Sequence, residues 1–196
     1  MTNRIVLIDV GHGGTDPGAV WKQDDGSIIK EADKAFAIAD YCGVYLQSRF
    51  IESFFTRIKS PGKRITASDR IAEARKLKPA CFVSIHCNAA ESTEAHGWEI
   101  LVPVKMPLKL ATDIENEWRE SNLDMKWRCI RQREKKDRGG MLLNGVHNLG
   151  IPCCLVEVGF LTNKHDRGLI CDPDWQKKCG QAIAQGIIEF LKDGAK

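Results

Sequence analysis

The hydrophobic residues of this chain fall into short apolar runs and longer segments with helical spacing. Short runs bounded by polar residues predict buried strands, whereas apolar residues spaced by three and four predict amphipathic helices. The runs predict strands at residues 4–9, 51–56, 81–85, 97–102, 127–131 (an edge strand) and 153–156. The spacing predicts helices at residues 31–50, 108–121, 142–149 and 174–191, the third closed by Gly150. A further helix is predicted to begin after a cap at Thr66 or Ser68 and to run to residue 76. This alternation predicts an α/β fold, a three-layer domain with a twisted, mostly parallel (mixed) central sheet flanked by helices.

Composition narrows the possible functions. A chain of 196 residues with 43% hydrophobic side chains is sufficient for one core, so we expect a single domain over residues 1–196. The net charge of +3 is too small for the basic surface of a nucleic-acid-binding protein. No window approaches the roughly 18 to 20 consecutive apolar residues of a membrane span. We therefore expect a soluble protein with no nucleic-acid partner and no membrane partner.

The cysteines and the N-terminus indicate the compartment of synthesis. The eight cysteines form no C-x-x-C pair and lie mostly in apolar runs, which predicts reduced core thiols. The apolar run at residues 5–8 is shorter than the roughly 7 to 15 residues of a secretory signal. We expect synthesis in the cytoplasm without a signal peptide.

Three predicted strands run directly into residues that bind metals or transfer protons. Asp9 to His12 follow the first strand, His86 follows the third, and Glu157 follows the last. Because functional groups gather at the carboxyl ends of parallel strands, we expect these residues to lie close together. Imidazole and carboxylate groups suit zinc, and a catalytic zinc site takes three protein ligands. His12, Glu31 and His86 supply such a set, although their scattered positions do not by themselves define a zinc site.

The glycine-rich turn around His12 is not a nucleotide-binding fingerprint. Asp16 stands at the third glycine position of G-x-G-x-x-G, and no P-loop motif occurs in the chain. The glycines beside His12 instead allow the backbone to turn sharply near a metal.

Four motifs occur in order along nearly the whole chain. They are Asp9-Val10-Gly11-His12-Gly13-Gly14, Lys30-Glu31, Ser84-Ile85-His86-Cys87-Asn88-Ala89 and Val156-Glu157-Val158-Gly159-Phe160-Leu161-Thr162-Asn163. As a set they resemble the zinc-dependent N-acetylmuramoyl-L-alanine amidases of the amidase type 3 family. Val10 replaces the usual proline and Cys87 a common alanine, and neither change removes a functional side chain.

The resemblance implies a reaction and a role for each residue. His12, Glu31 and His86 would hold one zinc ion, and Glu157 would be the catalytic carboxylate. The reaction would be hydrolysis of the amide between N-acetylmuramic acid and L-alanine, the first residue of the peptidoglycan stem peptide. Asn88 is a candidate for binding this substrate, with hydrogen bonding to its own turn as the alternative.

Other polar residues carry open interpretations. His96 is a further candidate for orienting substrate. Arg57 and Arg70 would meet stem-peptide carboxylates or else pair within the fold. The basic run at residues 131–138 is interpreted as a solvated face, with contact to an anionic wall polymer as the alternative.

The resemblance also bears on regulation and role. Gram-negative periplasmic members carry an insertion whose helix blocks the zinc, but here the interval 88–157 is already filled by predicted elements, so we expect no blocking helix. Members without an export signal are commonly phage endolysins, or autolysins released when a mother cell lyses. We favour an endolysin that reaches the wall once the membrane is opened, consisting of the catalytic domain alone and requiring no protein partner.

Two other functions remain open from the residues. The first is a cysteine-dependent peptidoglycan hydrolase using Cys154 or Cys87 with His86 or His147. Such an enzyme would resist a chelator but be inactivated by an alkylating agent. The second is a non-catalytic wall-binding module, which would have no need of Glu157.

Overall fold

A six-stranded mixed sheet forms the centre of the computed structural model, which describes residues 5–60 and 62–192. The strands are β1 (Val6–Val10), β2 (Val20–Lys22), β3 (Ile28–Lys30), β4 (Ser53–Phe55), β5 (Cys81–Asn88), β6 (Trp98–Pro103), β7 (Trp127–Arg133) and β8 (Cys153–Phe160). The helices are α1 (Glu31–Ser48), α2 (Ala67–Leu77), α3 (Lys109–Glu120), α4 (Gly140–His147), α5 (Lys164–Cys171) and α6 (Pro173–Lys192).

The order of the strands confirms the predicted fold class. The central sheet runs β4-β1-β5-β8-β6-β7, and β2 pairs with β3 in a separate antiparallel hairpin. Strands β4, β1, β5 and β8 are parallel to one another, β6 is antiparallel to β8, and β7 is parallel to β6. The sheet is therefore mixed and mostly parallel, and β1, β5 and β8 end at the same edge.

Each face of the sheet packs against its own layer of helices. Successive strand residues point to opposite faces, so in β1 Val6 and Ile8 join one core while Leu7 joins the other. The first core contains buried residues of α1, α3 and α6, and the second contains buried residues of α2 and α4. The α2–α4 face is the smaller of the two, and the side chains of His86, Glu99 and Glu157 lie on it.

The predicted elements all occur, with shifts in their bounds. The first strand begins at Val6, and Arg4 lies outside the described residues. Thr66, rather than Ser68, caps α2 through a reciprocal capping box with Asp69. Helix α4 ends at His147, so Gly150 (φ 77°) belongs to the following turn and does not close the helix directly.

Two strands are longer than the apolar runs indicate. β5 continues to Asn88 and β8 to Phe160, so His86 and Glu157 lie inside strands and not after them. The prediction of strand ends at these residues was wrong because polar side chains on one face do not end a strand whose other face stays buried.

The β2–β3 hairpin and α5 were not predicted from the sequence. The hairpin strands have three residues each and expose most of their side chains, so they produce no apolar run. Asp25-Gly26 at the turn is a signal that would have found the hairpin.

The cysteines and the helices can be compared with the expectations from composition. All eight cysteines are free, and six of them are buried. No helix in the described ranges is both long and apolar enough to cross a bilayer.

Candidate metal centre

His12 lies in a tight loop after β1. The φ angles of His12 (58°), Gly13 (121°) and Gly14 (61°) are all positive. Glycine adopts such angles without strain, so the two glycines allow the backbone to turn sharply directly after His12. The side chain of Arg57 donates to the carbonyl oxygens of Gly11 and His12, each at 3.1 Å. These bonds hold the loop that carries the imidazole.

Arg70 supports the same loop from α2. It pairs with the buried Asp9 and donates to the carbonyl oxygens of Val10 at 2.8 Å and His12 at 3.2 Å. Both Arg57 and Arg70 are buried, at 4% and 5% exposure. Both arginines therefore pair within the fold, which was one of the two interpretations of their role, and Arg70 also lines the cavity described below.

Glu31 is brought to the site by the hairpin and the start of α1. The side chain is fully buried, and its Oε2 accepts the backbone N–H of Ala19 at 2.8 Å. Its Oε1 accepts the N–H of Cys87 at 3.1 Å and lies 3.1 Å from His12 Nε2 and 2.9 Å from His86 Nδ1. Burial alone would raise the pKa of this carboxyl, but the two imidazoles outweigh burial and hold the pKa below its ordinary value. Glu31 is therefore an ionised carboxylate at the centre of the cluster.

His86 reaches the cluster through the alternation of β5. Phe82, Ser84 and His86 share one face, and Phe82 belongs to the core beneath α2 and α4. Two positions after the buried Ser84, the His86 ring meets the His12 ring edge-on, with centroids 4.9 Å apart. The two side chains are 15% and 17% exposed, so solvent reaches the cluster.

The geometry fits a tetrahedral metal ion. The candidate ligand atoms of His12, Glu31 and His86 all lie within 4.8 Å of one another. Zinc bonds of about 2.0–2.2 Å at tetrahedral angles separate neighbouring ligand atoms by about 3.4 Å. The distances of 2.9 and 3.1 Å from Glu31 to the two imidazoles are close to that value. Two neutral nitrogens and one carboxylate are also the donor set of catalytic zinc sites.

Glu157 lies beside the cluster on β8. It is directly opposite His86 on β5 and opposite Glu99 on β6, so the three side chains form a row across the sheet. Its Oε2 is buried and has no hydrogen-bond partner within residues 5–60 and 62–192. Burial raises the pKa of this carboxyl to about 7. An unpaired buried carboxyl that titrates near neutrality is suited to proton transfer.

Asn88 and Glu99 form a pair next to Glu157. Asn88 Nδ2 donates to Glu99 Oε1 at 3.1 Å, and Asn88 Oδ1 accepts the N–H of Ala89 at 2.9 Å. Asn88 thus makes the predicted turn contact, and it also lines the cavity described below.

Two site residues were missed in the sequence. Asp16 Oδ2 lies 3.0 Å from His12 Nδ1, which is the arrangement that fixes the ring of a metal-binding histidine. The spacing of four residues from His12 was the available signal. Glu99 is 4% exposed and has no signal beyond a single carboxylate in an apolar run.

A cavity of about 350 Å³ opens over these residues. His12, His86 and Glu157 line it, together with Met141 and Leu142 of α4. The side chains of His12 and His86 remain 17% and 15% exposed, so α3 and α4, the helices between Asn88 and Glu157, do not seal the two imidazoles from solvent.

The alternative candidates lie elsewhere or are inaccessible. Cys87 and Cys154 are fully buried, and burial raises the pKa of both thiols well above the ordinary value. A thiol must be exposed and ionised to act as a nucleophile, so this geometry disfavours the cysteine hydrolase. His96 is exposed, and its Nδ1 lies 2.8 Å from the carbonyl oxygen of Glu94, outside the cavity lining.

Replacing Gly11 with alanine is expected to weaken metal binding. A Cβ atom there would lie 2.6–2.8 Å from three atoms of the His86 ring, so the ring must move. We expect zinc affinity to fall by about 10- to 100-fold, the range seen when groups that orient ligands are altered. The measurement is competition with a chelating dye, with Gly168→Ala as the control because nothing lies within 4 Å of its added Cβ. Unchanged affinity in Gly11→Ala would show that the His86 ring is not a ligand in this orientation.

Comparisons with known proteins find relatives over nearly the whole chain. The sequence profile of a family described as N-acetylmuramoyl-L-alanine amidase matches residues 6–189. The chain is 27% identical over 210 residues to the germination-specific N-acetylmuramoyl-L-alanine amidase of Bacillus subtilis, covering 98% of this chain and 82% of that protein. It is 28% identical over 191 residues to the endolysin of Bacillus phage SPP1, covering 96% of this chain and 66% of the endolysin.

A solved structure shares the whole fold. It is the catalytic domain of CwlV, an N-acetylmuramoyl-L-alanine amidase from Bacillus (Paenibacillus) polymyxa var. colistinus, with a TM-score of 0.82 and 27% identity. The match covers 98% of this chain and 99% of that domain. Some relatives are much longer, since the chain spans 36% of the length of an uncharacterized cell wall amidase of Bacillus anthracis.

Proposed function

The chain belongs to the N-acetylmuramoyl-L-alanine amidase family, and from this premise we propose that it is a zinc-dependent enzyme that cuts the amide between N-acetylmuramic acid and L-alanine in peptidoglycan. The observation that carries the proposal is the buried, unpartnered Oε2 of Glu157 next to the convergent atoms of His12, Glu31 and His86. Because this oxygen makes no hydrogen bond within the described fold, it is free to accept and release a proton.

His12, Glu31 and His86 would hold one zinc ion. Bound there, zinc supplies Lewis acidity that polarises the scissile carbonyl and makes water acidic enough to lose a proton near neutral pH. Asp16 keeps His12 Nδ1 engaged, so that Nε2 points toward Glu31. The loop contacts of Arg57 and Arg70 hold this arrangement before substrate arrives.

Glu157 would move the proton. As a carboxylate it takes a proton from the attacking water at Oε2, and it returns that proton to the amide nitrogen as the carbon–nitrogen bond breaks. The products are a muramoyl carboxylate and a free L-alanine amino group. A pKa of about 7 serves both steps, because the group accepts and releases protons readily near neutrality.

Asn88 would orient the substrate. One of its two Nδ2 hydrogens is donated to Glu99 and its Oδ1 is occupied by Ala89, so the amide plane is fixed. The second Nδ2 hydrogen remains for a carbonyl oxygen of the bound glycopeptide.

The biological role proposed is host lysis as an endolysin, made in the cytoplasm and active on the wall after the membrane is opened. The similarity to the phage SPP1 endolysin supports this role. The similarity to a germination-specific amidase supports an autolysin as the alternative. Expression in a bacterial host tests the endolysin role. An endolysin should lyse the cells rapidly, but only after the membrane is permeabilised, whereas an inactive protein should not lyse them at all.

The reaction is tested on purified peptidoglycan by labelling the amino groups that appear. We expect new L-alanine amino groups and no new reducing sugar ends. Chelation should reduce the release by at least about tenfold, and added zinc should restore it, because the metal supplies the acidity that water lacks.

Each competing function predicts a different outcome of this assay. Release that resists the chelator and stops on alkylation would favour the cysteine hydrolase. Wall binding with no release, in a preparation shown to contain zinc, would favour the binding module.

A further inference from the structure

Three arginines line the cavity without a carboxylate partner. Arg64 precedes α2, Arg133 ends β7, and Arg138 lies between β7 and α4. In the described ranges no ion pair or side-chain hydrogen bond engages their guanidinium groups. They are therefore cationic groups directed at a shared space that Glu157 also lines.

The cavity carboxyls act on these arginines only at a distance, Asp16 on Arg64 and Glu157 on Arg138, and form no ion pair with them in the described ranges. The cavity carboxylates Asp16 and Glu99 already have partners, since Asp16 faces His12 and Glu99 pairs with Arg128 and Arg131 at 3.2 and 3.5 Å. The remaining carboxyl is Glu157, and even when it is ionised it supplies one negative charge against three arginines. The wall formed by the three arginines keeps a net positive charge.

Arg133 has a buried donor without an acceptor. Its Nε is inaccessible to solvent, and no hydrogen-bond partner for it exists among the described residues. Leaving a buried donor unsatisfied costs about 1–3 kcal/mol, so a ligand that supplies an acceptor is favoured. The planar guanidinium matches a carboxylate, which accepts two parallel N–H bonds.

We propose that Arg133 and Arg138 bind the free α-carboxylate of the second residue of the stem peptide, one residue beyond the L-alanine whose amide is cut. This subsite rests on the amidase function proposed above. The second Cα lies about 3.8 Å from the first, so its carboxylate stays within the cavity that also holds Glu157. Arg64, in the segment before α2, lines the same cavity.

The proposal predicts a preference between two substrates that differ at one group. Both are muramoyl tripeptides that begin with L-alanine and end with L-lysine. The second residue, linked through its γ-carbonyl, is D-glutamate in one and D-isoglutamine in the other. The first carries an α-carboxylate and the second an α-carboxamide. We expect kcat/KM of the wild type to favour the carboxylate by at least about tenfold, as a charge-assisted hydrogen bond requires.

Two variants and one control locate that preference. Arg138→Gln and Arg133→Gln should bring the ratio of the two kcat/KM values close to one, mainly by slowing the carboxylate substrate. Lys135→Gln removes the same charge from the same loop but does not line the cavity, so it should keep the wild-type ratio. Thermal melting of each variant shows that it is folded.

The outcomes separate the subsite from the amidase function. Equal slowing of both substrates in Arg138→Gln would mean that this arginine acts through Glu157, and would overturn the subsite. Wild-type cleavage without a preference, or with a preference for the carboxamide, would also overturn it while the amidase function stands. Cleavage of neither substrate, nor of peptidoglycan, would overturn both.

Discussion

Replacing Glu157 with glutamine is expected to slow amide hydrolysis by about 10²- to 10⁴-fold, the contribution of a positioned general acid–base group. The substitution keeps the shape of the side chain but removes its ability to take up and release a proton. Because Oε2 has no hydrogen-bond partner in the described chain, no structural contact is lost. The variant should therefore remain folded and bind zinc as the wild type does, with at most the cost of about 1–3 kcal/mol of an unsatisfied buried amide donor.

The measurement pairs initial rates on peptidoglycan with zinc content and thermal melting. Glu91→Gln is the matched control, since Glu91 is exposed and does not line the cavity. A Glu157→Gln enzyme that keeps more than about a tenth of the wild-type rate would contradict the assignment of proton transfer to this residue.

Replacing Glu31 with glutamine is expected to remove the metal. The carboxylate supplies the central charge, 2.9 and 3.1 Å from the two imidazoles. Altering groups that only orient ligands costs about 10- to 100-fold in metal affinity, so loss of a charged ligand should cost at least about 100-fold. Activity should fall at least as far as in Glu157→Gln, because proton transfer by Glu157 depends on water made acidic by the metal.

This variant should also be less stable. Both carboxylate oxygens accept buried backbone N–H groups, from Ala19 and Cys87, and glutamine offers only one acceptor. The unsatisfied N–H group should lower the free energy of unfolding by about 1–3 kcal/mol.

Zinc per chain after dialysis and the melting temperature report the two effects separately. Asp40→Asn, an exposed carboxylate on the same helix, should change neither. Retention of one zinc per chain by Glu31→Gln would remove Glu31 from the ligand set.

Much of the fold and of the candidate site was predictable from the sequence. The apolar runs gave the six strands of the central sheet, and the four motifs brought His12, Glu31, His86 and Glu157 together as candidates before any distance was known. These features are local, because strand and helix periodicity and the residue types within a motif are written along the chain. The same patterns misplaced the ends of β5 and β8, since one polar face does not interrupt a strand that is buried on the other.

The roles of the arginines were decided by tertiary structure alone. Arg57 and Arg70 have the same side chain as Arg133 and Arg138, yet the first two donate to carbonyl groups of the His12 loop, whereas the last two line the cavity without such partners. Asp16 and Glu99 likewise acquire their contacts only when the loop after β1 closes and β6 pairs with β8. A sequence specifies which groups are present, whereas their partners depend on packing between segments far apart in the chain, and that packing separates a structural arginine from one available to a ligand.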